Sequence, residues 1–232
     1  MNGLQLFIKY ALPPNVLGYC GPEGLSAQKN NAEELRNLLS RFEGAVPYLR
    51  LIALSNGIKD EFDERVVEAY WLGNDLLLNV LNKDLYDSIE ERFEKKMKNK
   101  EWRWLVSQSI PQAKPHHVFH VFEIYRRAGL LRSGAKDKIL ETMDNCRIGW
   151  GTVKSINGGF ALVAYSPLEF REKKLCFGKS TAKNFLLLDP SVKIGDEVSF
   201  HWNHVCDKIT PDQKRNLAYW TDFHLKLVNK TI

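Results

Sequence analysis

The sequence has no apolar run approaching the roughly 20 residues a membrane-spanning helix needs. Its start, Met1-Asn2-Gly3-Leu4-Gln5-Leu6-Phe7, lacks the basic segment and long apolar stretch of a secretory signal. Cysteine is scarce: four thiols, Cys20, Cys146, Cys176 and Cys206, are scattered over 232 residues. So sparse a set excludes a disulfide-stapled scaffold and leads us to expect reduced thiols in a cytoplasm. One-sided charge is also missing. The 33 Lys+Arg against 28 Asp+Glu leave +5, too mild for a nucleic-acid binder. The densest basic run, Lys95-Lys96-Met97-Lys98-Asn99-Lys100, follows the acidic Glu90-Glu91-Arg92-Phe93-Glu94. Acid before base along one helix suits its macrodipole, so the run reads as a solvated helix end.

Familiar catalytic signatures are absent too. There is no His-Glu-x-x-His, and Gly178-Lys179-Ser180 fails as a phosphate loop because Lys173 stands where a glycine is required. No internal repeat or low-complexity segment occurs.

What is present is helical periodicity followed by strand texture. Pro13-Pro14-Asn15, Gly18 and Tyr19-Cys20-Gly21-Pro22-Glu23-Gly24 punctuate the first 25 residues, which read as an irregular segment laid against the body. A helical pattern begins near Asn31 with Leu35, Leu38, Leu39 and Phe42, resumes after Gly44 and stops at Asn56-Gly57. The spacing of Val66, Val67, Tyr70, Trp71, Leu77, Leu78 and Leu81 behind Asp63 predicts a helix over 63–81. Further helices are predicted over 84–98, from Pro115 to about 127, and over 135–145. After Cys146 short apolar stretches alternate with turns, among them Asn157-Gly158-Gly159, Asp189-Pro190 and Gly195-Asp196. They predict five or six short strands closing into a small barrel. Thr210-Pro211-Asp212-Gln213 reads as a capping box opening a last helix that packs back onto it. The fold class is therefore α+β. A mostly helical domain, 1–145, with an irregular start, precedes a small OB-like β-barrel with a C-terminal helix, 146–232.

Two runs in the barrel carry the strongest signal: Cys146-Arg147-Ile148-Gly149-Trp150-Gly151-Thr152-Val153 and Val192-Lys193-Ile194-Gly195-Asp196-Glu197-Val198-Ser199-Phe200-His201. A Cys-x4-Gly-x-Val start and a Val-x-x-Gly-Asp-x-Val-x-x-His end resemble the HypC/HupF hydrogenase assembly chaperones, over roughly residues 145–225. The whole chain looks like a conserved uncharacterised family with an added helical N-terminal domain. The resemblance implies a barrel that holds an iron-cyanide-carbonyl unit through Cys146. His201 would be a second ligand, or a hydrogen-bond partner that tunes the first. It also implies protein partners, a metalloenzyme client or a maturation factor. The chain departs from the family at three places. Cys146 is internal instead of following the initiator methionine, Trp150 stands where proline is common, and Trp202-Asn203-His204 replaces small residues after His201.

Other candidates come from spacing. On a helix, His116, His120 and Glu123 stand at i, i+4 and i+7, one face bearing two imidazoles and a carboxylate, a ligand set for iron or zinc. The same face reads equally as a wet one opposite Val118, Val121, Phe122 and Tyr125. In His201-Trp202-Asn203-His204-Val205-Cys206, strand alternation puts His204 and Cys206 with Trp202 and His201 opposite, so packing is the expectation there. Cys20 occupies a glycine-flanked turn that either presents a thiol or packs under the helical domain. The leading expectation is a non-enzymatic accessory or scaffold protein that assembles or carries a metal centre. One alternative is an enzyme with Cys20 or Cys146 as nucleophile and His116, His117 or His120 as base. The other is a module that binds protein or single-stranded nucleic acid through aromatics in a basic groove.

Overall fold

Asn2 opens the chain as a helix cap, its side chain accepting from the Gln5 amide at 2.9 Å. The computed structural model describes residues 2–25, 31–96, 110–124 and 136–231. Positions 97–100 of the basic run and the predicted helix beyond Ile124, Tyr125 included, lie outside these. Helix α1 (Gly3–Val16) replaces the irregular start expected from its prolines. Leu6, Phe7, Tyr10 and Ala11, spaced three and four apart, bury one face. Pro13 and Pro14 fall in the last turn, where they help to end the helix instead of preventing it.

Helices α2 (Ala32–Leu39, capped by Asn31) and α3 (Val46–Ser55) follow the predicted pattern. The helix expected over 63–81 is cut short: α4 covers Glu64–Trp71. Gly73 then takes φ +85°, and Asn74 caps a 3-10 turn over Asp75–Asn79. A Cβ on Gly73 would lie 2.1 Å from Trp220 Cδ1, so close approach of the last helix sets the break. Helix α5 spans Asn82–Lys96. Helix α6 starts as His117–Phe119 behind an N-cap at His116 and continues as a π-turn over His120–Ile124. Helix α7 (Lys136–Cys146) leads into the barrel.

The closed barrel has the order β1-β2-β5-β7-β6, from β1 (Gly149–Asn157), β2 (Phe160–Tyr165), β5 (Thr181–Leu186), β6 (Glu197–His201) and β7 (His204–Lys208). Strands β3 (Leu168–Arg171) and β4 (Lys174–Phe177) form a separate hairpin. Val153, Val163, Phe185, Val198, Phe200 and Val205 are among the residues filling the barrel. The stretch through His201 and Cys206 is not one strand. Trp202 (φ +45°) and Asn203 (φ +63°) make a two-residue turn, so His201 pairs across a hairpin with His204.

The last helix, α8 (Pro211–Val228), forms the predicted capping box in full. Leu217, Trp220 and Leu227 join the apolar core of α1, α3 and α4, while Leu225 and Val228 join a second cluster with Phe122, Met143 and Leu175. Gln213 Nε2 also donates to Glu68 at 2.7 Å. The helix therefore packs on both halves of the chain.

The glycines and aspartate of the two barrel motifs have a structural purpose. A Cβ on Gly151 would meet Ala164 O at 2.3 Å. Gly195 (φ +92°) and Asp196 form a turn that bonds both ways to the Val153 backbone, at 2.9 and 3.0 Å. Gly151→Ala is expected to destabilise the protein by roughly 1–3 kcal/mol through overpacking. The shift in urea midpoint measures this, and an unchanged midpoint would show that the strand has room. No helix among the described residues is long and apolar enough to cross a membrane.

Candidate functional site

Four chain segments converge where the two halves meet. Trp202 N donates to Asn145 O at 2.9 Å, which ties the turn after β6 to the end of α7 and sets His201 beside Cys146. His117, at the start of α6, reaches the same place, its Nε2 lying 2.8 Å from Cys146 O. Tyr10 O on α1 receives His201 Nδ1 at 2.7 Å. The outcome is a buried cluster in which one ligand atom each from His117, Cys146 and His201 lies within 4.8 Å of the others.

The hydrogen bonds fix the tautomers, because a carbonyl only accepts. His201 carries its proton on Nδ1, facing Tyr10 O, so Nε2 bears the lone pair. That Nε2 has no hydrogen-bond partner among the described residues, although the Cys146 backbone lies close enough to favour a protonated ring. His117 carries its proton on Nε2, and its Nδ1 accepts from Tyr70 OH at 3.2 Å. Tyr70 OH also lies 3.4 Å from Gly44 O, so turning its proton there frees Nδ1. Burial pushes the His201 pKa down to about 4, and burial with the neighbouring His201 holds His117 well below the usual imidazole range. Both rings are neutral at pH 7, the form that binds metal.

A cavity of about 130 Å³ adjoins the cluster, lined by His117, Cys146 and His201 together with Cys20, His120 and Tyr70. Cys20 stands in the turn after α1, and burial of its thiol pushes the pKa up to about 11 although the residue as a whole is exposed. His120 hydrogen-bonds Tyr48 OH at 3.4 Å, and burial, then Arg92, push its pKa down to about 4.

Cys146 and His201, paired by motif, are thus brought together. His116, His120 and Glu123 do not form one ligand set among the described residues. His116 is the cap outside the helix and the next turn is π, so the i, i+4, i+7 alignment does not exist. His116 instead stacks on His224, with centroids 6.2 Å apart, and Glu123 is buried. Cys206 and His204 stay out of the cluster, and Cys206 Sγ faces His204 O at 3.7 Å. Arg147 does not turn to the thiol: it bonds Asp144 and Ser166 O and lies over Phe177 and Trp150. As a ligand candidate, His117 was hidden from spacing arguments, being adjacent to His116 and well separated in sequence from both partners.

The donors suit a metal. One sulfur and two neutral imidazole nitrogens favour zinc, copper or low-valent iron over magnesium or calcium. His201 shows the usual arrangement of a ligating histidine, with its second nitrogen held by a backbone carbonyl. Its orphaned Nε2 costs about 1–3 kcal/mol as it stands, a cost that a bound metal would remove. No curated protein and no solved structure shows significant similarity to the chain. Over residues 1–232, its full length, the chain belongs to the family of unknown function DUF6390.

Proposed function

We propose that the protein is a non-enzymatic carrier or assembly factor for a thiophilic metal unit, held by Cys146, His201 and His117. The observation that supports it most is the buried convergence of one thiol and two neutral imidazoles, one with an unpartnered nitrogen. The resemblance to HypC/HupF chaperones points the same way. Gly151, Gly195 and Asp196 of the shared motifs shape the barrel itself, whereas Cys146 and His201 of the same motifs meet at the buried cluster. By that analogy the cargo is iron bearing cyanide and carbonyl ligands, and the partners are a maturation factor and a metalloenzyme client. Trp71 and Trp202, both lining the cavity, bury indole N–H groups without an acceptor among the described residues. Such donors complement ligands that accept hydrogen bonds. His117 comes from the helical part, so that part supplies a ligand that a lone small chaperone would take from a second protein.

The test is the metal content and infrared spectrum of protein isolated anaerobically from its native host. Iron with bands in the cyanide and carbonyl stretching region is the expected result. Another metal without those bands would keep a metal site and discard the iron unit. Protein isolated with its partners and free of metal would overturn the carrier reading.

The second reading is a cysteine-dependent enzyme, favoured by the approach of Cys146 and His201 within 4.8 Å. Electrostatics weigh against it. The imidazoles are poor bases, and the Cys20 thiol is pushed away from the thiolate a nucleophile needs.

A further inference from the structure

We propose that Cys20 is the transfer thiol of this centre, the group through which metal enters and leaves the Cys146–His117–His201 cluster. This rests on the carrier reading and adds a route to it. The three cluster residues are buried, with His201 only 1% exposed. A metal ion coming from water therefore has to shed its hydration before it meets any of them. Cys20 is the one exposed cysteine of the four, and it lines the same cavity as all three.

Its loop is built to hold it there. Asn15 Nδ2 donates to Cys20 O at 2.9 Å and to Pro22 O at 2.8 Å. The Tyr19 ring stacks on Trp202 at 4.2 Å, beside His201. Gly21 takes φ +82°, and a Cβ there would lie 2.2 Å from the Phe42 ring. The backbone is thus pinned on both sides of the thiol. A second observation inside the cluster points to a ligand independently: the buried His201 Nε2 has no hydrogen-bond partner among the described residues. Tyr70 lies within electrostatic reach of both thiols, since Cys20 and Cys146 each raise its pKa after burial and Tyr48.

The step is a ligand exchange without electron transfer. On delivery, the bond between metal and Cys20 sulfur forms as the bond to Cys146 sulfur breaks, and the Cys20 proton passes to the departing Cys146 thiolate. Loading runs in reverse. Cys20 stays protonated in the absence of metal and gives up its proton only when the ion binds it. Its place in an exposed turn, outside the buried group of three, makes it an entry and exit point and not a resident ligand.

The test uses full-length protein and zinc(II) alone, read by equilibrium affinity and by the rate of release to excess chelator. Cys20→Ala and Cys20→Ser should keep the affinity within about threefold and slow both loading and release by about tenfold or more, because serine is a poor ligand for a soft metal. Release at the wild-type rate from both variants would overturn the transfer role. An affinity loss as large as that of Cys146→Ala would make Cys20 a resident ligand and overturn it equally. Wild-type protein that binds neither zinc nor iron would sink the carrier reading itself, a different result from normal binding with unchanged rates.

Discussion

Cys146→Ala is expected to weaken metal binding by ~100-fold or more, because loss even of a group that only orients a ligand costs 10–100-fold. His201→Ala and His117→Ala should fall in the same range. The His117 variant is the sharper one, because no motif marks that residue as a ligand and the geometry of the cluster alone gives it that role. Cys176→Ala is the control: its thiol sits in the β3–β4 hairpin, outside the cluster. Competition against a chromophoric chelator, done anaerobically, gives the affinities. Thiolate-to-metal charge transfer on cobalt(II) loading reports the sulfur ligand separately. Wild-type affinity in Cys146→Ala, with the charge-transfer band intact, would remove Cys146 from the site.

Acid should destabilise the metal-free protein steeply below neutrality. Burial pushes His116 down to about 3 and His201 to about 4, and holds His117 and His224 well below the usual imidazole range. Each is neutral in the folded state, while the unfolded chain takes up protons near pH 6.5. Folded pKa values below the unfolded one make the unfolded state the better proton acceptor. Stability is therefore full above about pH 6.5 and is lost as pH falls toward the folded values. At pH 5 His116 and His201 alone cost about 2 kcal/mol each, and the others act in the same direction. That is a large part of the 5–15 kcal/mol that holds a typical domain together. Urea midpoints at pH 7.5 and pH 5 measure the loss, and equal midpoints would refute it. His224→Met, which removes a buried ring with neither nitrogen bonded among the described residues, should move the acid transition to lower pH.

The barrel was legible because its signals are local. Asn157-Gly158-Gly159, Gly195-Asp196 and the Thr210–Gln213 capping box each act within a few residues, and each appears as read. The first helix was not, because Pro13 and Pro14 outweighed the spacing of Leu6, Phe7, Tyr10 and Ala11, and the prolines do harm only where the helix already ends. The helix expected over 63–81 failed for a reason no local window contains: Gly73 meets Trp220, far along the chain. Half of the site was readable for the same kind of reason. Cys146, at the end of α7, and His201, at the end of β6, flank and close one contiguous barrel segment, whose motif spacing survives in sequence. His117 and Cys20 arrive from the helical part, through contacts that only tertiary packing decides. The face proposed for His116, His120 and Glu123 assumed 3.6 residues per turn, and the π-turn removed that assumption.

One bond described above also sets a schedule. The Tyr10 carbonyl that orients His201 is 191 residues away in the chain, and the neighbouring Tyr10–Ser199 bond spans 189. During synthesis Tyr10 is made well before the β6–β7 hairpin that completes the cluster. A growing chain therefore offers no oriented imidazole at position 201 until that hairpin has been made and has met α1. On the carrier reading, a stalled product lacking that hairpin would have only two of the three proposed ligands.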